Sequence, residues 1–193
     1  MTALACFCLA LLCGSLPFSV WVARLAGADP RSVGDRNPGA TNAFKAGGKW
    51  VGLAALLLDI SKAALPVGLA CQVYGLRGPA LAAVALAPTL GHAWSPFLGW
   101  RGGKAVATML GVWIGLTLWD VPLVAVAGVT LWFLLLKNSG WALLFTLLGM
   151  GIYLWMVRPE VILLAILSLQ TLIVLWKYRA ELRLPFHHLP AAS

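Results

Sequence analysis

Charge is scarce in this chain. Only 10% of its 193 residues are Asp, Glu, Lys or Arg, 61% are hydrophobic, and the mean hydropathy is +0.90. A water-soluble domain of this size cannot hide so much apolar surface, so the scarcity excludes a soluble globular protein and points to an integral membrane one. Acid is scarcer still. The six Asp and Glu residues are scattered singly, which excludes the clustered metal-binding aspartates that a phosphatidyl-alcohol transferase would need. The four cysteines, Cys6, Cys8, Cys13 and Cys71, lie inside apolar segments without metal-ligand spacing and read as small buried hydrophobes. No metal and no cofactor is implied. The apolar runs are continuous rather than alternating, which argues against an outer-membrane barrel. No internal repeat stands out, and no pair of broken helices marks the mid-membrane site of a transporter. No Lys or Arg precedes Arg24, so the basic n-region of a secretory signal is missing and the first apolar run is expected to be a membrane helix.

What the chain does contain is a succession of apolar runs close to the length that spans hydrocarbon. Hydropathy and helix length place spans at 4–26, 51–74, 79–97, 105–118, 121–136, 141–157 and 161–176. The fourth and fifth are short, with a tight turn at Trp119–Pro122 between them. The expected fold is all-α: a polytopic bundle of about seven transmembrane helices forming a single membrane-embedded domain over 1–193. Trp21, Trp50, Trp94, Trp100, Trp119 and Trp176 fall near span ends, as an aromatic interface belt requires.

The net charge of +8 would suggest nucleic acid in a soluble protein, but here the cations sit between apolar runs and report topology, so no nucleic-acid partner is expected. With the connection 27–50 placed in the cytoplasm, that side carries Arg24, Arg31, Arg36, Lys45, Lys49, Arg101, Lys104, Lys137, Lys177, Arg179 and Arg183. The other side carries Arg77 and Arg158, and Lys62 lies within a span. The bias predicts an N-terminus outside and a C-terminus in the cytoplasm. His187 and His188, in the tail, are expected to be solvated.

Three polar, glycine-rich segments fall on the cationic face. The first, 29–49, is dominated by turn formers (Pro30, Gly34, Pro38, Gly39) and adds Asn37, Thr41 and Asn42 as donors with Arg36, Lys45 and Lys49 as charges. This is a plausible cradle for a phosphorylated small molecule, or a solvated loop. The second, Gly91 to Thr108, sets His92, Arg101 and Lys104 around the pair Gly102–Gly103. Cations at the edge of a bilayer usually meet an anion, and paired glycines allow close backbone approach with N–H groups facing it. A plain positively charged loop is the alternative. The third, Lys137–Gly140, offers Ser139 as a phosphate donor or a turn residue. Gly14–Phe18 interrupts the first span as a proline kink with a small-residue packing face. Asp59 and Lys62 stand three apart on one face of the second span. Mutual pairing inside the bundle is the first explanation, and direct substrate contact the second.

In order along the chain, GSLPF, VGDRNPGATN, DISK and GHAWSPFLGWRGGKAVAT resemble the integral-membrane acyl-phosphate:glycerol-3-phosphate acyltransferases, the PlsY family. That family's pattern runs GSIPF, GSGNPGATN, FDxxKG and GHxFPxFxxFxGGKGVAT on a seven-helix bundle. The resemblance covers nearly the whole chain and implies acyl transfer from acyl phosphate to the sn-1 hydroxyl of glycerol 3-phosphate, giving lysophosphatidic acid, on the cytoplasmic face of a bacterial inner membrane. It implies acyl phosphate, glycerol 3-phosphate and membrane lipids as partners. It also implies His92 and Lys104 as catalytic residues, and Asn37, Gly39, Thr41, Asn42, Lys45, Gly102, Gly103, Ser139 and Arg183 as the phosphate-binding set, with Asp59 and Lys62 as a structural ion pair. The hydroxyl's proton would go to His92 or to a substrate phosphate. The related alternative is a divergent member that acylates another phosphorylated acceptor or only binds phospholipid precursors.

The chain departs from the pattern at several positions. Asp35 stands where the family has Ser, followed by Arg36 in place of Gly. A carboxylate beside a phosphate is repulsive unless a cation neutralises it; Arg36 is the nearest in sequence, and rotation of Asp35 away is the other solution. Lys45 replaces an Arg, keeping charge but losing the bidentate fork. In the family's last cytosolic motif, which resembles HRENIxRL, Lys177 takes the place of His and Ala180 that of Asn, so only Arg183 carries over.

Overall fold

The computed structural model describes residues 1–185, and His187 and His188 lie outside them. Every regular element among these residues is helical. The chain forms two compact units, the first Met1–Leu116 and the second beginning at Thr117.

The first unit holds α1 (Thr2–Ser15), α2 (Phe18–Leu25), α3 (Ala40–Gly68), α4 (Gly78–Ala93) and the start of α5 (Val106–Thr117). α1 and α2 together make one apolar stretch of 24 residues, broken at Leu16–Pro17. Pro17 lacks an N–H, and Val20 N bonds to the Pro17 carbonyl, so the Leu16 carbonyl leaves the helical ladder. α1 lies against α4 with almost no side chain between them. A Cβ on Gly14 would strike the Pro88 backbone, and one on Gly91 would sit 2.5 Å from the Leu11 carbonyl. Ser95 Oγ donates to the Ser15 carbonyl at 2.6 Å and closes the same seam. Small residues let membrane helices approach to backbone contact. Cys6, Ala10, Ala70, Val84 and Ala87 form a compact buried core.

α3 is broken at Gly48, so the apolar helix that follows begins near residue 49, close to the expected 51, and runs into the π-type turn Leu69–Val73. The polar stretch before the break is itself a short helix, which carries Thr41, Asn42 and Lys45. Its glycines read as a loop in the sequence because Gly48 does break the geometry, at φ 80° and ψ −176°, a left-handed conformation that favours glycine. The cysteine expectation is corrected in part: Cys6 and Cys71 are buried, Cys13 is half-buried and Cys8 is exposed on α1.

The second unit holds α6 (Asp120–Leu136), α7 (Ser139–Val157) and α8 (Val161–Lys177). Two residues, Leu118 and Trp119, separate α5 from α6, where a tight turn was expected. Arg158 Nε donates to Asp120 Oδ2 at 2.5 Å, and Tyr153 Oη donates to the same oxygen at 3.4 Å, tying the start of α6 to the end of α7. Among the described residues, four stretches are long and apolar enough to cross a membrane (Thr2–Leu25, Ala40–Val73, Gly78–Leu98 and Ser139–Val157), and α5, α6 and α8 are shorter apolar helices. Large apolar side chains such as Leu65, Leu134 and Trp155 point outward, two-thirds or more exposed, as a lipid-facing surface requires.

Candidate active site

The site in the first unit begins with Asn42, on the first turn of α3 and 2% exposed. Its Nδ2 donates to the Val33 carbonyl (3.1 Å), the Asn37 carbonyl (3.0 Å) and Asp35 Oδ1 (2.8 Å). One amide thus draws the turn 33–39 down onto the helix. Gly39 precedes the helix, with room above its Cα limited by Asn37 Nδ2. Asp35 Oδ1 also accepts the Asn37 N–H at 3.2 Å, an Asx turn that fixes the carboxylate.

Lys104 reaches this carboxylate from the other end of the unit, its Nζ 2.5 Å from Asp35 Oδ2. The cation that neutralises Asp35 is therefore Lys104, 69 residues away in sequence, and not Arg36, whose backbone is left-handed at φ 59° and whose side chain is exposed. Lys45 stands on the same side, since a side-chain carbon on Gly34 would lie 3.2 Å from its Nζ. Thr41, on the first turn of α3, is exposed. Burial alone would raise the Asp35 carboxyl, but the hydrogen bond and charge of Lys104, with the bonds from Asn42 and the Asn37 N–H, outweigh it and hold the group below its ordinary value. Further out, the Arg31 side chain bonded to Asp29 brings that carboxyl down to about 2.

Behind Lys104 lies a second, buried array. Lys62 Nζ donates to Asp59 Oδ1 at 2.6 Å and to the freed Leu16 carbonyl at 2.9 Å, and stands 2.8 Å from His92 Nδ1. Ser19 Oγ donates to the other oxygen of Asp59 at 2.5 Å. Lys62 Nζ thus has three polar neighbours, the Asp59 carboxylate, the Leu16 carbonyl and the His92 ring nitrogen. The other edge of the ring faces Gly103, where a Cβ would strike Nε2; a Cβ on Gly102 would strike the His92 carbonyl, which accepts the Gly103 N–H at 3.0 Å. A side chain at Gly102 would collide with backbone, and one at Gly103 would force the His92 ring or the loop to shift. The turn that follows Ser95 uses left-handed backbone at Gly99, Trp100 and Ala105 (φ 59°, 65° and 63°) to aim Lys104.

Ser139 and Arg183 belong to the second unit. Ser139 is exposed at the first position of α7, and Arg183 is exposed in the turn Glu181–Arg183. The residue that joins them is Asn138, which sequence reasoning passed over. Its Oδ1 caps α7 by accepting the Gly140 N–H at 3.0 Å, and its Nδ2 donates to the Glu181 and Pro185 carbonyls at 3.2 Å each. An Asn directly before a helical run was the available signal.

In this helical membrane protein Lys104, the Asn42 amide and the Asn37 N–H meet on one carboxylate, with Lys45 nearby, so cations and hydrogen-bond donors converge at one place. Comparison with known proteins identifies the family. The family model described as glycerol-3-phosphate acyltransferase matches residues 4–186, and the chain belongs to that family. It is 43% identical over 166 residues to the glycerol-3-phosphate acyltransferase of Laribacter hongkongensis, covering 83% of this chain and 82% of that protein. It is 38% identical over 178 residues to the one from Thioalkalivibrio sulfidiphilus, covering 90% and 85%. Its fold is similar to the crystal structure of PlsY (YgiH), an integral membrane glycerol 3-phosphate acyltransferase, in the glycerol 3-phosphate form: TM-score 0.87, 30% identity, covering 95% of this chain and 91% of that one.

Proposed function

We propose that this chain transfers a fatty acyl group from acyl phosphate to the sn-1 hydroxyl of glycerol 3-phosphate, giving lysophosphatidic acid for phospholipid synthesis. It works as one membrane-embedded domain of a bacterial inner membrane, since the family match runs through both units. The excess of cations on one set of connections puts the N-terminus outside and the polar segments in the cytoplasm. The observation that carries the reading is the meeting of Lys104 with the Asn37–Asn42 turn and Lys45. Both substrates are phosphates, and fixed cations with oriented amides are the groups that hold one.

Acyl phosphate is a mixed anhydride and needs no protein nucleophile. The glycerol hydroxyl oxygen attacks the acyl carbon, the ester C–O bond forms, the acyl C–O bond to phosphorus breaks, and inorganic phosphate leaves with the bonding electrons. The hydroxyl proton goes to a phosphate oxygen. His92 is held at Nδ1 by Lys62, which supports a positioning role for it in this scheme. It positions the Gly102–Gly103 backbone. Lys104 binds phosphate and stabilises its developing charge, with Lys45, Asn37, Thr41, Asn42 and Gly39 shaping the cradle. The chain's contribution is orientation and charge stabilisation. Purified Lys104→Ala is expected to lose acyl transfer; undiminished transfer would discard the assignment.

A further inference from the structure

The donors that would hold a substrate phosphate are already holding an anion, and it belongs to the chain. Asp35 Oδ2 takes the Lys104 ammonium at 2.5 Å, and Asp35 Oδ1 takes the Asn42 amide at 2.8 Å and the Asn37 N–H at 3.2 Å. Two carboxylate oxygens present nearly the same pair of acceptors as two oxygens of a phosphate, which is why one donor set serves both groups. The carboxylate is not locked in by packing. Its side chain is 44% exposed, against 18% for Lys104, so the ion pair has an open side. Asp35 is also flanked by two left-handed residues, Gly34 at φ 55° and Arg36 at φ 59°, which present it at the tip of a tight turn.

Charge sharpens the conflict. Lys104 and Lys45 together offer two positive charges to a phosphate, and Asp35 cancels one of them. A dianion arriving beside the ionised carboxylate meets repulsion as well as an occupied lysine. The anion and Asp35 cannot both take Lys104 Nζ along the same line, so one must yield.

We propose that Asp35 is a specificity-determining residue of the phosphate subsite: an internal carboxylate that fills the subsite in the free protein and must rotate off Lys104 before an anionic substrate binds. This rests on the reading of Lys104 and its neighbours as a phosphate subsite. Its consequence is an affinity reduced by the fraction of molecules in which Asp35 has moved away. The subsite therefore discriminates against weakly held anions, because only a ligand with further contacts, to Lys45 or to a headgroup elsewhere, displaces the carboxylate.

Equilibrium dialysis of radiolabelled glycerol 3-phosphate against detergent-purified protein tests this without requiring turnover. Inorganic phosphate serves as competitor, and the wild type is compared with Asp35→Asn, Asp35→Ser and Lys104→Ala. Asn keeps an acceptor for Asn42 and the Asn37 N–H, and Ser keeps the turn, so one variant stands in if the other misfolds. The expected result is a Kd for glycerol 3-phosphate lower by about tenfold in a folded Asp35 variant, with inorganic phosphate competing at correspondingly lower concentration, and weaker binding of both in Lys104→Ala. If Lys104→Ala weakens binding while both Asp35 variants bind as wild type or more weakly, the subsite stands and the role given to Asp35 is overturned. If Lys104→Ala binds glycerol 3-phosphate and phosphate like the wild type, the subsite itself is misassigned and the proposal falls with it.

Discussion

Lys62 Nζ stands 2.8 Å from His92 Nδ1, across 30 residues of sequence, and joins the buried Asp59 carboxylate to the backbone that carries Lys104. The Lys62 and Asp59 side chains are 1% and 2% exposed. Removing the ammonium leaves a carboxylate uncompensated in a dry interior. Lys62→Met is expected to destabilise the protein by about 3–5 kcal/mol, and Asp59→Asn/Lys62→Met by much less, because a broken pair costs more than an absent one. Thermal unfolding in detergent micelles measures both; equal losses would show that the pair has no such coupling.

Gly103 is where this array meets the candidate site. Gly103→Ala puts a methyl group against His92 Nε2, and either the ring or the loop must shift. A displacement near 1 Å in a positioned site costs about 100-fold in rate. Acyl transfer by Gly103→Ala is expected to fall by that order with the thermal midpoint little changed. A variant that unfolds instead would assign the glycine to stability.

Ala105 holds a left-handed backbone, φ 63°, and is 2% exposed. An alanine there bears a penalty of about 1 kcal/mol that glycine escapes. Ala105→Gly, which restores the family pattern GGKGVAT, is expected to raise stability by that amount. Differential scanning of the two proteins checks it; a lower midpoint would mean that the methyl group's packing outweighs the backbone preference.

Much of this arrangement was legible in the sequence, because membrane burial forces every backbone group into a helix and apolar run length then counts the spans. All seven runs correspond to helical segments, and the i,i+3 spacing of Asp59 and Lys62 announced their contact. The helix before Gly48 was obscured because Gly47, Gly48 and Pro38 carry turn chemistry, while Asn42 and the Asp35 turn supply hydrogen bonds at its start. The partners of Lys62 were hidden for a different reason. The Leu16 carbonyl becomes an acceptor only once Pro17 breaks the ladder, and His92 reaches the ammonium from a different helix, 30 residues away. Asp35 and Lys104 stand 69 residues apart in the sequence. Their pairing is a tertiary fact that spacing does not encode.

The Asp35 carboxyl lies outside the spans and is held below its ordinary value. A group whose folded-state pKa is depressed contributes stability that is fully present above its unfolded pKa, about 3.9, and disappears as pH falls through the folded value. The gap in thermal midpoint between wild type and Asp35→Asn is therefore expected to stay constant from pH 7 down to about 4 and to close below it. A gap that closes between pH 7 and 5 would mean the carboxyl is raised and Lys104 does not hold it.

The most direct measurement follows the atoms. Palmitoyl phosphate carrying oxygen-18 at the bridging position, incubated with purified protein and labelled glycerol 3-phosphate, is expected to yield one lysophosphatidic acid for each inorganic phosphate, with the heavy oxygen entirely in the phosphate. Phosphate released without lysophosphatidic acid, or heavy oxygen retained in palmitate, would contradict acyl transfer at the carbonyl carbon.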